Sequence, residues 1–125
     1  MILDTNGLSA LADGEPALEP LLRKAEQIAL PVIVLGEYRY GISRSRKREQ
    51  YEHWIEESLG AFRVLDIEER TTVPYTALRI ELKKAGTPIP SNDLWIAALC
   101  RQHGLPILSR DTHFDLVPGI QRIAW

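Results

Sequence analysis

Four acidic side chains stand where an apolar stretch of the chain begins or ends. They are Asp4, after Met1–Leu3; Glu37, after Val32–Gly36; Asp93, before Leu94–Leu99; and Asp111, after Leu105–Arg110. A carboxylate at the edge of a hydrophobic element is costly to desolvate, so it normally has a cation, a donor or open solvent beside it. If the apolar stretches pack in one core, the four acids meet at its rim and repel one another unless a divalent cation neutralises them. This pattern predicts a metal-dependent hydrolase.

The same residue types suit the hydrolysis of a phosphodiester. That reaction needs an activated water, neutralised charge at phosphorus and a stabilised leaving oxygen, and carboxylate-held Mg²⁺ or Mn²⁺ supplies all three. No His or Cys ligand is required. The histidines, His53, His103 and His113, lack zinc-binding spacing. For His113 we expect packing or capping beside Phe114 rather than proton transfer.

Short apolar strands that alternate with helices must position these acids. We predict strands at 1–3, near 28–31, and at 62–67, 106–109 and 120–125. We predict helices at 8–12, 15–28, 31–41, 47–59, 68–85 and 91–103, with one further helical turn at 112–116. Strands separated in this way pair in parallel through right-handed crossovers. The predicted fold class is therefore α/β, a three-layer α/β/α sandwich with a central, mainly parallel sheet.

In sheets of this kind, ligands bind outside the carboxyl ends of the strands. Asp4 and Asp111 fall at such ends, and Glu37 and Asp93 are predicted on helices that begin on the same side. We expect Ser91, Asn92 and Asp93 to cap the helix that ends at His103. The four acids are thus predicted to share one edge of the sheet.

Bulk composition limits the functional classes. The 125 residues, 45% hydrophobic and 26% charged, predict one globular domain over 1–125. A net charge of -2 gives no global attraction for nucleic acid, so any such contact needs a local patch. The single cysteine, Cys100, excludes an internal disulfide. With no apolar run near the ~20 residues of a membrane span and no signal peptide, we predict a cytoplasmic location and no membrane partner.

One dense basic run offers such a patch. It comprises Arg44, Arg46, Lys47 and Arg48, with Arg39 nearby. A solvated run at a helix start is the ordinary reading of such a cluster. If the acids cleave RNA, however, the same residues are candidates for RNA binding, because the substrate backbone needs positive charge near an acidic pocket.

Four segments taken together resemble the PIN-domain ribonucleases, and above all the VapC-type toxins of bacterial toxin–antitoxin pairs. In chain order they are Leu3–Asn6, Gly36–Glu37, Pro90–Ala98 and Ser109–Phe114. The resemblance spans nearly the whole chain and implies a PIN-like fold. Gly7 departs from the apolar residue usual after Asp-Thr-Asn, and we expect it to loosen the first helix.

The resemblance implies a ligand set and a reaction. Asp4, Glu37, Asp93 and Asp111 would hold Mg²⁺ or Mn²⁺, and in-line attack by water would leave a 5′-phosphate and a 3′-hydroxyl. Asp115 is a further candidate metal ligand, since it lies four residues beyond Asp111 and shares its face if that turn is helical.

The resemblance also implies supporting residues and partners. Thr5, Asn6 and Ser109 would position the acids or the substrate phosphate. The partners implied are an RNA substrate such as tRNA, a cognate antitoxin protein and a second copy of the chain in a homodimer.

Two other functions remain open from the residues alone. An acid-pocket phosphatase usually needs a second Asp two residues after its nucleophile, and Asn6 occupies that place. A catalytically silent RNA- or protein-binding module would keep the fold, but it gains nothing from four mutually repelling acids.

Overall fold

A five-stranded sheet, parallel throughout, runs through the centre of the computed structural model, which describes residues 1–125. The strands are β1 (Ile2–Leu3), β2 (Ala29–Pro31), β3 (Arg63–Leu65), β4 (Ile107–Leu108) and β5 (Arg122–Ile123), in the order β3-β2-β1-β4-β5. The helices are α1 (Thr5–Ala12), α2 (Glu19–Lys24), α3 (Val32–Ile42), α4 (Arg48–Ser58), α5 (Thr72–Lys84) and α6 (Ser91–His103). The predicted α/β/α architecture is confirmed, with a sheet that is wholly parallel.

The two central strands are short and completely buried. Ile2 and Leu3 of β1, and Ile107 and Leu108 of β4, each have 0% exposure. A parallel sheet covered on both faces requires such uninterrupted apolar residues. Because β1 and β4 are direct neighbours, with Leu3 opposite Leu108, the residues that follow them emerge side by side at one edge of the sheet.

Helix α1 begins earlier than predicted, at Thr5 rather than Leu8. The Asp4 carboxylate caps it by accepting the Gly7 backbone N–H at 2.9 Å. A Cβ at Gly7 would lie 3.0 Å from the Leu108 carbonyl oxygen. The glycine therefore lets α1 approach β4 closely, and the expected loosening of the helix is not seen.

One other predicted helix and one predicted helix cap are wrong, whereas the predicted bounds of the helix over 91–103 are confirmed. The predicted helix over 15–28 is divided into a single 3₁₀ turn at Pro16–Leu18 and α2, which ends at Lys24. Pro20 lies in the first turn of α2, where its missing N–H is tolerated only near a helix start. In α6 the N-cap is Pro90, without a side-chain cap, so Asp93 lies in the first turn rather than at the cap.

The longest helices, α5 and α6, contain 13 residues each. None of the six is both long enough and apolar enough to cross a bilayer.

Candidate metal centre at the carboxyl edge of the sheet

Asp4 is the most buried carboxylate of the molecule, at 4% exposure. It follows β1 directly, so capping α1 draws its side chain under the first turn of that helix. The pKa of Asp4 is raised to about 6, mainly by burial and to a smaller extent by the charges of Asp93 and Asp111, while hydrogen bonds from Ser109 and Gly7 oppose the rise. A carboxylate with a raised pKa in a polar cavity is energetically poised to accept a cation.

A network of hydrogen bonds fixes Asp4 to the end of β4. The Ser109 hydroxyl donates to Asp4 Oδ2 and accepts the Asp111 backbone N–H at 2.9 Å. Asn6 Nδ2 donates to the same Oδ2 at 3.0 Å, and Asn6 Oδ1 accepts the Arg110 backbone N–H at 3.1 Å. Ser109 and Asn6 both donate to Asp4, and these contacts support their predicted role, which stays a prediction.

Glu37 enters the site from α3, the helix that follows β2. The pKa of Glu37 is raised, mainly by burial and to a smaller extent by the charge of Asp93. Hydrogen bonds with Thr5 and Asn92 lower it in part. Its Oε1 atom is buried and has no hydrogen-bond partner. A buried acceptor without a donor is costly unless something else occupies its lone pairs.

Asp93 and Asp111 approach one another from α6 and from the loop after β4. His113 Nδ1 lies 3.3 Å from Asp93 Oδ2 and 3.1 Å from Asp111 Oδ1. Ligand atoms of these three residues all lie within 4.8 Å of one another, a spacing that could hold a metal ion. Burial raises the pKa of Asp93, as does the charge of Asp111, while His113 lowers it.

The four predicted acids line one cavity of about 670 Å³, called here the acidic cavity, which is bounded by Asp4, Glu37, Asp93 and Asp111. They come from four different parts of the chain, and the structure brings all four together. The donor set consists mainly of carboxylate oxygens, which Mg²⁺ and Mn²⁺ prefer. The unpartnered Oε1 of Glu37 is an available ligand atom. The residues present therefore fit a hard divalent cation.

Of the two remaining predicted site residues, Thr5 lies at the acidic cavity and Asp115 does not. Thr5 lines the acidic cavity at the first turn of α1. Asp115 does not line it, because its carboxylate accepts hydrogen bonds at 2.8 and 2.9 Å from Arg122. That arginine lowers the pKa of Asp115. The prediction of Asp115 as an outer metal ligand is untested, and the pairing with Arg122 argues against it.

The basic run lies at the start of α4, and none of its residues lines the acidic cavity. Arg39 pairs with Glu56 at 3.0 Å and Arg48 with Glu52 at 2.8 Å. A second cavity shares Thr5 and Glu37 with the acidic cavity and extends to Ser45, between Arg44 and Arg46. RNA binding by Arg39, Arg44, Arg46, Lys47 and Arg48 stays a prediction.

Sequence reasoning missed Arg110 and Trp125, which line the acidic cavity, and underrated His113. The signal for His113 was its position two residues after Asp111, where its ring can turn back on that acid. No local signal joins Arg110 to Trp125, because β5 alone brings residue 125 beside the loop after β4.

The comparisons with known proteins agree with this geometry. The family described as PIN domain matches residues 1–120. Ribonuclease VapC2 of Rickettsia felis is 40% identical over 106 residues, which are 84% of this chain and 79% of that protein. The tRNA(fMet)-specific endonuclease VapC of Salmonella typhimurium is 26% identical over 99% of this chain and 96% of its own length.

Among solved structures, the crystal structure of VapBC2 from Rickettsia felis bound to a DNA fragment from their promoter matches with a TM-score of 0.85. The identity is 29%, over 99% of this chain and 97% of that chain. The chain belongs to the PIN-domain family, and within it to the VapC ribonucleases of toxin–antitoxin systems.

Proposed function

We propose that this chain is an Mg²⁺- or Mn²⁺-dependent endoribonuclease that acts as the toxin of a toxin–antitoxin pair. One observation carries the proposal: four carboxylates from separate elements line one cavity, and three of them have raised pKa values. Such an arrangement is unfavourable until a cation enters. We assign Asp4, Glu37, Asp93 and Asp111 as the metal-holding residues.

The chain's own residues have distinct parts in this function. Ser109 and Asn6 hold Asp4 in place through hydrogen bonds to its Oδ2. Thr5 lies beside Glu37 and lowers its pKa, which favours the charged form that a cation needs. When bound, a divalent ion would polarise the phosphate and lower the pKa of the attacking water. The Asp115 carboxylate is committed to Arg122, and we place it outside this set.

The proposed substrate is RNA, with tRNA as the first candidate because the Salmonella relative is a tRNA(fMet)-specific endonuclease. The proposed partner is an antitoxin that covers the acidic cavity, since the Rickettsia structure is a VapBC2 complex. We also propose a homodimer, one functional domain over 1–125 and a cytoplasmic location. The last agrees with the single cysteine, Cys100, which is buried and free.

The test is to incubate purified protein with a tRNA fraction in Mn²⁺, in Mg²⁺ and in EDTA. We expect cleavage with either ion and none in EDTA, with product ends that carry 5′-phosphates. Turnover of a small phosphomonoester without RNA cleavage would indicate a phosphatase. Binding of RNA without turnover in any ion would indicate a silent binding module.

Substitution of any of the four assigned acids by its amide should abolish cleavage, and a matched control shows whether loss of an acid elsewhere has the same effect. Asp66→Asn removes one exposed carboxylate that does not line the acidic cavity, so its cleavage rate should equal that of the unaltered protein. Metal binding is measured separately by calorimetry, where the protein should bind Mn²⁺ without RNA. Absence of both binding and cleavage would reject the proposal.

A further inference from the structure

The acidic cavity has a strong imbalance of charge. Six carboxylate residues line it, and the only cationic residue among its lining is Arg110. The acids are Asp4, Asp13, Glu15, Glu37, Asp93 and Asp111. An RNA phosphate that approaches this cavity is repelled unless positive charge faces it. Divalent ions reduce the repulsion, but the protein itself offers one fixed cation.

Arg110 contacts an aromatic ring and the start of helix α1, but its guanidinium has no acidic partner. Its Cζ lies 4.9 Å from the centre of the Trp125 ring, and its backbone N–H donates to Asn6. The guanidinium forms no ion pair, whereas Arg122, on the neighbouring strand, is paired with Asp115. Arg110 is exposed to solvent and lines the acidic cavity, and its guanidinium donates to no protein group.

This arrangement is chemically suited to a phosphate. A guanidinium is planar and weakly hydrated, so one face can stack on an aromatic ring while its edge keeps N–H donors for two phosphate oxygens. Stacking restricts the flexible side chain before the substrate arrives, which lowers the entropy cost of binding. Neither property is needed if the residue only balances nearby acids.

We propose that Arg110 binds a backbone phosphate of the RNA at the acidic cavity and that Trp125 is its positioning residue. The proposal rests on the proposed function, because it names the residue of that site that recognises the substrate.

The experiment measures RNA binding in EDTA, so that hydrolysis does not interfere. Fluorescence anisotropy is recorded with a fluorescein-labelled oligouridylate and with labelled tRNA over a range of salt concentrations. We expect Arg110→Gln to weaken binding about tenfold, as loss of a charge-assisted bidentate contact does. The slope of log K against log salt should fall by about 0.7, the value for one phosphate on a single strand.

Arg79→Gln is the matched control. Arg79 also lies over an aromatic ring, at 6.0 Å from the centre of Tyr75, but it lines a different cavity. The two substitutions remove the same charge from an exposed stacked arginine. Only the variant at the acidic cavity should lose affinity and salt slope.

Three further variants separate positioning from packing. Trp125→Leu should weaken binding nearly as much as Arg110→Gln, and Trp125→Phe should restore it because a ring remains. Arg110→Lys keeps the charge but not the planar fork, so it should keep the salt slope with an intermediate affinity. Thermal melting of each variant checks that it is folded.

The outcomes are distinct. If the unaltered protein binds RNA and Arg110→Gln binds it equally with the same salt slope, the phosphate role is wrong while the proposed function stands. If Arg110→Gln only tightens Mn²⁺ binding in calorimetry, Arg110 merely balances the acids, and the proposal is again overturned. If Trp125→Leu binds normally, Trp125 is not the positioning residue. If the unaltered protein binds neither RNA in EDTA but cleaves tRNA in Mn²⁺, the inference alone fails, because Arg110 then does not hold the RNA. If it neither binds RNA in EDTA nor cleaves tRNA in Mn²⁺, the inference and the proposed function both fail.

Discussion

Asp115 and the acids of the acidic cavity differ in whether the protein balances their charge. Asp115 is paired through two hydrogen bonds with Arg122, whose side chain is 16% exposed. Asp4, Glu37 and Asp93 have no arginine or lysine paired with them, and burial raises the pKa of each. The charge of Asp115 is balanced within the protein, whereas these three acids need a cation from solution.

The difference shows which acids are candidates for metal binding. Closeness to the site in sequence does not decide it, since Asp115 is only four residues beyond Asp111. What decides it is whether the protein has already supplied a positive charge. An ion that binds Asp115 would have to displace a guanidinium with ideal two-point geometry, which costs more than it gains.

The sharpest test of this comparison removes one charge from each group. Asp93→Asn should lower RNA cleavage by at least about 100-fold. The reason is that loss of a group that only supports a metal ligand already costs about 10- to 100-fold, and Asp93 is assigned as a ligand itself. Asp115→Asn should change the rate of RNA cleavage by less than about threefold, since the Asp115 side chain pairs with Arg122 and contacts none of the acids assigned to the ion. Initial rates on tRNA in Mn²⁺ measure both. Equal losses in the two variants would contradict the comparison.

The second test adds the missing charge rather than removing a ligand. Mn²⁺ at about 100 times its dissociation constant should add roughly 2.7 kcal/mol to the free energy of unfolding, if only the folded chain binds it. The melting temperature of the unaltered protein and of Asp115→Asn should therefore rise, and that of Asp93→Asn should rise much less.

The baseline without metal provides the control for this second test. Asp115→Asn should lower the free energy of unfolding only slightly, because an ion pair whose carboxylate is half exposed is screened by solvent. Urea unfolding in EDTA measures it. A metal-dependent shift that disappears in Asp115→Asn would show that Asp115 is a ligand after all.

The smallest effect concerns pH. The pKa of Asp4 rises from its ordinary 3.8 to about 6 on folding, so the folded chain binds the proton more tightly. The stability that comes from this proton is complete below pH 3.8 and is lost as the pH rises through 6. In EDTA, Asp4→Asn should therefore gain stability relative to the unaltered protein by about 1 kcal/mol between pH 5 and pH 7.5.

Urea unfolding at both pH values, in EDTA, measures this difference. Asn keeps the ability to cap α1, so the helix itself should survive the substitution. A difference that does not change with pH, or that changes in the opposite direction, would mean that Asp4 is not held at a cost in the metal-free protein.

The convergence of Asp4 and Asp111 could be predicted because both follow apolar strands, and parallel strands present their carboxyl ends at one edge. Glu37 and Asp93 were placed correctly on helices by the same reasoning. The caps were harder. Asp4 caps α1, which therefore begins at Thr5 rather than at Leu8, since a carboxylate that closes a strand can also cap the helix that follows.

Contacts that depend on strand order could not be predicted. Nothing near Asp4 in the sequence indicates that Ser109 donates to it, since 105 residues separate them. The Arg110–Trp125 stack and the Arg122–Asp115 pair likewise depend on β5 lying beside β4. Local pattern indicates where a strand is, but the neighbour it selects is a property of the whole core.

The position of β4 has a consequence for how the protein is made. This strand is inserted between β1 and β5 in the sheet, and Ser109 and Asp111 follow it directly. A ribosome must therefore synthesise the chain as far as Ser109 and Asp111 before Asp4 meets these distant partners. A nascent chain that has not reached β4 carries Asp4 and Glu37 but no assembled site, so the acidic cavity forms only after β4 and the loop that follows it have been synthesised.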